Sequence, residues 1–366
     1  MTLERLTTVD ADRTDLDDAA AARAALTRRT SARAATHALR AGGLLLALGV
    51  LALAALLSMA VGAKPIPPGV VWDALWHFDG SYDHNVILGL RAPRTLLGIA
   101  VGAALGLAGA LMQALVRNPL ADPGLLGVNM GATTAVVAAI FLFGLTGVDA
   151  YVWFSFVGAA LTAALVYFLG TRGRTGATPV RLALAGTAVS AVLLGLTNGI
   201  VLFHDFVFEQ IRFWQVGSLA GRDLAVLTEV TPFLVGGSLL ALLLGRSLNT
   251  IALGEDLAAA LGARIGRIRL LTAAAIVLLC GAATAAAGPI AFVGLAVPHA
   301  ARLLTGPDQR WLLPYSAVLA AVLLVGSDTL GRVVLPNGEL EVGIITALVG
   351  APVFIALVRR TRMAQP

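Results

Sequence analysis

The chain has 366 residues, 58% of them hydrophobic and 13% charged, with a formal net charge of +5 and a mean hydropathy of +0.86. A soluble domain of this length has no interior large enough to hide so much apolar surface, so an integral membrane protein is predicted. The positive balance is not a nucleic-acid signature: 25 of the 26 basic residues are Arg, the one Lys is Lys64, and most sit in short loops between apolar runs, where they orient a chain in a bilayer.

Residues 1–42 stand apart. Asp10, Asp12, Asp15, Asp17 and Asp18 give way to Arg23, Arg28, Arg29, Arg33 and Arg40. This pattern predicts a poorly ordered cytoplasmic tail, helical in part, that ends in a basic juxtamembrane segment. A transmembrane domain over 43–362 follows. Its first apolar run, 44–62, ends in SMAVGAKP, which is similar to a signal-peptide cleavage site. The basic region ahead of it is far too long for an ordinary signal, so the run is expected to stay.

Further spans are predicted at 93–115, 123–144, 151–170, 180–202, 224–245, 270–287, 290–304, 311–330 and 342–358, ten in all. Counted from a cytoplasmic N-terminus, the tail, the even-numbered loops and the C-terminus hold 20 of the 26 basic residues. A shift by one span would scramble that bias, so both termini are expected in the cytoplasm. In the second span Gly98, Gly102 and Gly106 recur every fourth residue, a smooth stripe on which another helix can sit closely. NPLADPGL (118–125) can be laid against GPIAFVGL (288–295), a weak internal repeat that the topology makes inverted, as in many transporters.

The chain carries no fuel of its own. A Walker A loop needs a Lys after its glycines, and Lys64 is followed by Pro65 in an outer loop. Proton-coupled carriers place a carboxylate or His at mid-membrane, whereas Asp122, Glu229 and Asp328 all fall near span ends. His299 is expected to hydrogen-bond near the inner end of its helix, and the lone Cys280 to pack as a small core residue. No metal-ligand spacing, catalytic motif or cofactor motif appears, so no catalytic or metal residue is expected.

A transporter without fuel needs a handle for an engine on another chain. Residues 254–267, GEDLAAALGARIGR, lie in a polar loop over 247–268 between two long apolar runs. Glu255 and Asp256 occupy the first turn of a predicted short helix that follows Gly254, where negative charge favours the helix dipole. Leu257 and Leu261 share one face, and Gly262 is placed to end the helix. An interfacial helix resting on lipid is the alternative, but such helices usually have a basic polar face and more large apolar residues.

Five stretches, RAPRTLLGIAVGAALGLAGALMQALVRNPLADPGLLGVNMGA (91–132), FWQVGSLAGR (213–222), LGEDLAAALGARIGR (253–267), GPIAFVGLAVPHAAR (288–302) and GELEVGIITALVGAPVF (338–354), resemble the permease subunits of bacterial ABC importers for ferric siderophores, haem and cobalamin. The resemblance covers about 44–360. It implies an all-α, ten-helix BtuC-like type II importer fold in the bacterial cytoplasmic membrane, paired with a second permease, identical or paralogous. It further implies two ATPase subunits that hold ATP and Mg, with no cofactor on this chain, and an extracytoplasmic substrate-binding protein. Residues 254–262 would be the coupling helix, and Arg91 and Arg332 would match outer positions that pair with acidic residues of the binding protein. Ordinary interfacial snorkelling is the other reading of those two arginines. Gln113, Asn118 and Asn129 can line a central pathway or hydrogen-bond neighbouring helices. The loop 171–180 resembles the cytoplasmic gate region, but Pro179 and Val180 stand where the family often has Ser or Thr. GSLAGR after FWQV is more similar to siderophore members; haem or cobalamin uptake is the alternative cargo. An ion-coupled secondary carrier and a receptor-like membrane protein are the rivals from other classes.

Overall fold

The computed structural model describes residues 35–145, 147–171, 179–335 and 338–363. The predicted tail up to 34 and most of the gate-like loop 171–180 lie outside these residues. Helix α1 (Ala35–Ala60) begins inside the stretch read as tail. It is followed by α2 (Pro68–Trp76), α3 (Tyr82–Val86), a π turn (Ile87–Arg91) and α4 (Ala92–Val116), which continue one another from Tyr82 onward. A 3₁₀ turn (Pro123–Leu126) leads into α5 (Val128–Phe143), then α6 (Val148–Thr171), α7 (Pro179–Phe203) and α8 (Asp205–Val216). The rest is α9 (Leu224–Ala252), α10 (Glu255–Ala260), α11 (Ile265–Ala287), α12 (Val293–Thr305), α13 (Gln309–Val334) and α14 (Val342–Met363).

Seven of the described helices are long and apolar enough to cross a membrane, and Val128–Phe143 and Val342–Ala356 are shorter apolar helices. The expected span at 290–304 is only a 13-residue helix, α12. Pro289 removes an amide donor, Gly288 turns at φ +75, and Phe292 takes a left-handed backbone (φ +67), so the helix cannot start before Val293. The 12-residue α8 did not show in the hydropathy pattern because only Val207, Ile211 and Trp214 of it are buried.

Helix α4 is the hub. Buried residues make up 78% of its most apolar window, against 17% for α7, which leaves α7 a peripheral helix. Small residues make this possible. A methyl group added at Gly102 would stand 2.7 Å from the Cα of Ala321, and one at Gly106 would collide with the Ser316 carbonyl, both on α13. The predicted smooth stripe therefore seats α13. Gly109 extends it to α12, where a methyl would meet the Gly294 carbonyl. Gly131 of α5 and Gly158 of α6 approach each other reciprocally in the same way. Without a hydrophobic drive between helices in lipid, such close packing is what holds a bundle together. Pro123 packs beside Gly294 (3.3 Å from its added methyl), so the two stretches aligned as a repeat meet, each followed by a short helix.

Candidate functional site

At one end of the bundle, α9 stops at Ala252 and the chain turns at Gly254 (φ +111) into α10. Gly262 (φ +83) ends α10 in a Schellman arrangement: its N–H donates to the Ala259 carbonyl (2.9 Å) and Ala263 N–H donates to the Ala258 carbonyl (3.0 Å). Only Ala258 of α10 is buried. Leu257 and Leu261 are 51% and 63% exposed among the described residues, two large apolar groups left mostly uncovered. Two arginines tether the helix. Arg269 Nη2 of α11 lies 2.7 Å from Glu255 Oε1, and Arg117 Nη2, at the end of α4, lies 3.7 Å from the same atom. Arg117 also donates to the Ile251 carbonyl (3.0 Å). The polar loop is shorter than expected, since residues 247–252 belong to α9.

The opposite end holds the other arginines. The docking expectation placed Arg91 and Arg332 on an outer rim; in the structure they are only 8% and 5% exposed. Arg91 donates to the carbonyls of Met59 (2.8 Å), Ala60 (2.9 Å) and Lys64 (2.5 Å). Arg332 donates to the Ser58 carbonyl (2.8 Å), the Ser58 Oγ (3.2 Å) and the Asp328 carboxylate. The reason is electrostatic: Ser58, Met59 and Ala60 are the last residues of α1, whose carbonyls have no donor within the helix and attract cations. Arg94 grips Asp328 through Nε (3.0 Å) and Nη2 (2.8 Å), and Glu339 through Nη1 (2.7 Å). Arg91, Arg94, Arg222, Arg332 and Glu339 line one cleft of about 480 Å³. Arg94, Asp328 and the α1 terminus were invisible as a unit in the sequence, because 234 residues separate Arg94 from Asp328. A π turn ends in Arg91, a form frequent at functional sites.

Between the two ends, Gln113 is buried and pins α4 to α12. Its Nε2 donates to the Leu295 carbonyl (3.1 Å), and its Oε1 accepts from Arg302 (3.3 Å). Asn129 accepts from Thr284 Oγ1 (3.3 Å), joining α5 to α11. Asn118 is exposed and accepts from Leu120 N–H (2.9 Å), a local turn contact. His299, expected to hydrogen-bond, is buried with Nδ1 unpartnered among the described residues. Among the described residues no group of three or more His, Cys, Asp or Glu is placed to hold a metal.

Comparison with known proteins fixes the lineage. Residues 50–360 match the FecCD transport family. The chain is 50% identical over 328 residues to the ferric enterobactin transport system permease FepD of Escherichia coli, covering 89% of this chain and 97% of that one. It is 42% identical to the iron(3+)-hydroxamate import system permease FhuB of Bacillus subtilis (87% and 83% covered). To the hemin transport system permease HmuU of Yersinia pestis it is 37% identical (88% and 95% covered). A solved structure of a metal-chelate type ABC transporter, in an inward-facing conformation, superposes with a TM-score of 0.77 at 28% identity over 87% of this chain and 98% of that one. An all-helical bundle with at least seven apolar spans, matched along nearly its whole length, makes this a multi-pass inner-membrane transporter subunit rather than an enzyme: the chain belongs to the FecCD family of ABC importer permeases.

Proposed function

We propose that this permease carries a ferric siderophore into the cytoplasm by alternating access, driven by separate ATPase subunits that bind ATP and Mg. The observation that carries the reading is α10: a short, capped helix that presents Leu257 and Leu261 uncovered and is tethered through Glu255 to both α4 and α11. Seated in a groove of the ATPase, it would pass displacement to the hub helix and to α11 together. On this reading α10 and both termini face the cytoplasm, the spans number ten, and a second permease, identical or paralogous, completes the pathway. The arginine-lined cleft faces outward beneath the substrate-binding protein. Arg91 and Arg332 shape that docking rim from within, and complementary charge there serves docking rate and register. The cargo assignment leans on FepD and FhuB, whose names specify ferric enterobactin and iron(3+)-hydroxamate, and on the probable siderophore permease YfiZ; haem is the second reading, supported by HmuU.

The test is reconstitution. Proteoliposomes with the full complex and ATP should accumulate an iron-loaded siderophore, whereas this chain alone under a proton gradient should not. Uptake driven by the gradient alone would overturn the importer mechanism. Replacing both Leu257 and Leu261 by Ser should abolish co-purification of the ATPase subunits without altering the helical circular-dichroism signal. Retained co-purification would remove the coupling role from α10.

A further inference from the structure

A groove of about 470 Å³ runs along the bundle between α6 and α11. Its floor includes Val116 and Leu182, and its walls include Ala160 and Ala164 of α6 and Ala274 and Leu278 of α11. The wall alanines are exposed and the floor is buried, so the groove opens sideways at the depth of the membrane spans. Two residues with polar side-chain groups line it, Tyr167 and Arg269, and Arg269, at its mouth, is on the same helix end that tethers α10.

We propose that this groove holds one acyl chain of an anionic phospholipid whose phosphate meets Arg269. Three observations select that occupant. The surrounding medium at this depth is hydrocarbon, so a lateral apolar opening is filled by hydrocarbon. The volume of about 470 Å³ matches about fifteen groups at about 30 Å³ each, the bulk of a single chain. From Arg269 to Leu278 the wall runs about 13 Å at 1.5 Å per residue. The third observation is charge. Among the described residues Arg269 is the one charged residue that lines the groove, and it shares the carboxylate of Glu255 with Arg117. Among the described residues Arg269 uses only Nη2, on Glu255, so Nε and Nη1 remain to donate to a phosphate, a fork geometry suited to that group. Because leaving one hydrocarbon for another gains little, selectivity sits at the headgroup. Since the same guanidinium holds α10, headgroup occupancy would make coupling sensitive to lipid composition; that clause rests on the proposed role of α10, whereas lipid retention tests the site without it.

The experiment is native mass spectrometry of the full-length chain in mild detergent, offered equal phosphatidylglycerol and phosphatidylcholine. The wild type should retain phosphatidylglycerol about fivefold over phosphatidylcholine, as expected for one basic residue near an anionic headgroup. Arg269→Gln should erase the preference and Arg269→Lys should keep it. Ala164→Phe with Ala274→Phe, which fills the groove, should release both lipids. If that double variant loses its helical signal, Arg269→Gln decides alone, because it leaves the apolar part of the groove unfilled. Equal retention of the two lipids by the wild type, an unchanged preference in Arg269→Gln, or lipid retained by a folded, filled groove would overturn the proposal. So would disulfide cross-linking of Ala164→Cys between two copies, since Cys280, the native thiol, is buried and a second chain would then cover the groove.

Discussion

The two ends of this permease treat a carboxylate in opposite ways. At the α10 end, Glu255 is about half exposed and its two arginines are 30% and 41% exposed, so the pairs orient a presented helix and add little to stability. At the other end, Asp328 is 2% exposed between Arg94 and Arg332, with the guanidiniums also committed to carbonyls of α1 and to Glu339. The first arrangement is a handle and the second is a lock. Similar residue chemistry thus yields a movable element where water screens it and a fixed one where protein encloses it.

The lock should break first. Asp328→Asn leaves the buried Arg332 guanidinium without its counter-charge and Arg94 with Glu339 alone, a change that typically costs about 3–5 kcal/mol. A large fall in melting temperature or loss of folded protein in detergent is expected, measured by tryptophan fluorescence. Next comes the seam between the hub and α12: Gly109→Ala should destabilise by about 1–3 kcal/mol through overpacking, read in the same melt. At the handle, Glu255→Gln should shift stability by less than about 1 kcal/mol while lowering ATP-driven uptake in the reconstituted complex. A comparable loss of stability from Glu255→Gln would erase the contrast between the two ends.

The smallest effect concerns pH. A hydrogen bond from Arg310 holds the Asp308 carboxyl well below the usual carboxylate range, with Asn249 adding a second. A depressed folded pKa means stabilisation that is complete above the ordinary value, about 3.9, and is lost as pH falls through the lower folded value. Arg310→Gln should therefore flatten the acid-side loss in melting temperature between about pH 5 and pH 3, by no more than about 1 kcal/mol because Arg310 is half exposed.

Much of this architecture was legible in the sequence because lipid imposes simple rules. Apolar runs gave the long helices. The Gly98, Gly102 and Gly106 spacing gave a seat for a neighbour, and Glu255, Asp256 and Gly262 gave a short helix with defined ends. What could not be read depends on meetings across the chain. Gln113 seemed as suited to a pathway as to a packing role, and only the position of the Leu295 carbonyl favours the second. Arg91 and Arg332 looked like rim charges because nothing local reveals that α1 ends against them. The groove beside Arg269 is shaped by five separate stretches of chain, and its alanines look in sequence like ordinary span residues.

One feature of the hub constrains any transport cycle. Where Gly109 meets Gly294, backbone touches backbone, and at that point no side chain stands between the two glycines to yield. Sliding one along the other would drive a carbonyl oxygen into an α-carbon, so α4 and α12 must travel as a single strut. Articulation then falls to joints cushioned by bulkier groups, and the little-buried α7 is where the first relative movement should be sought.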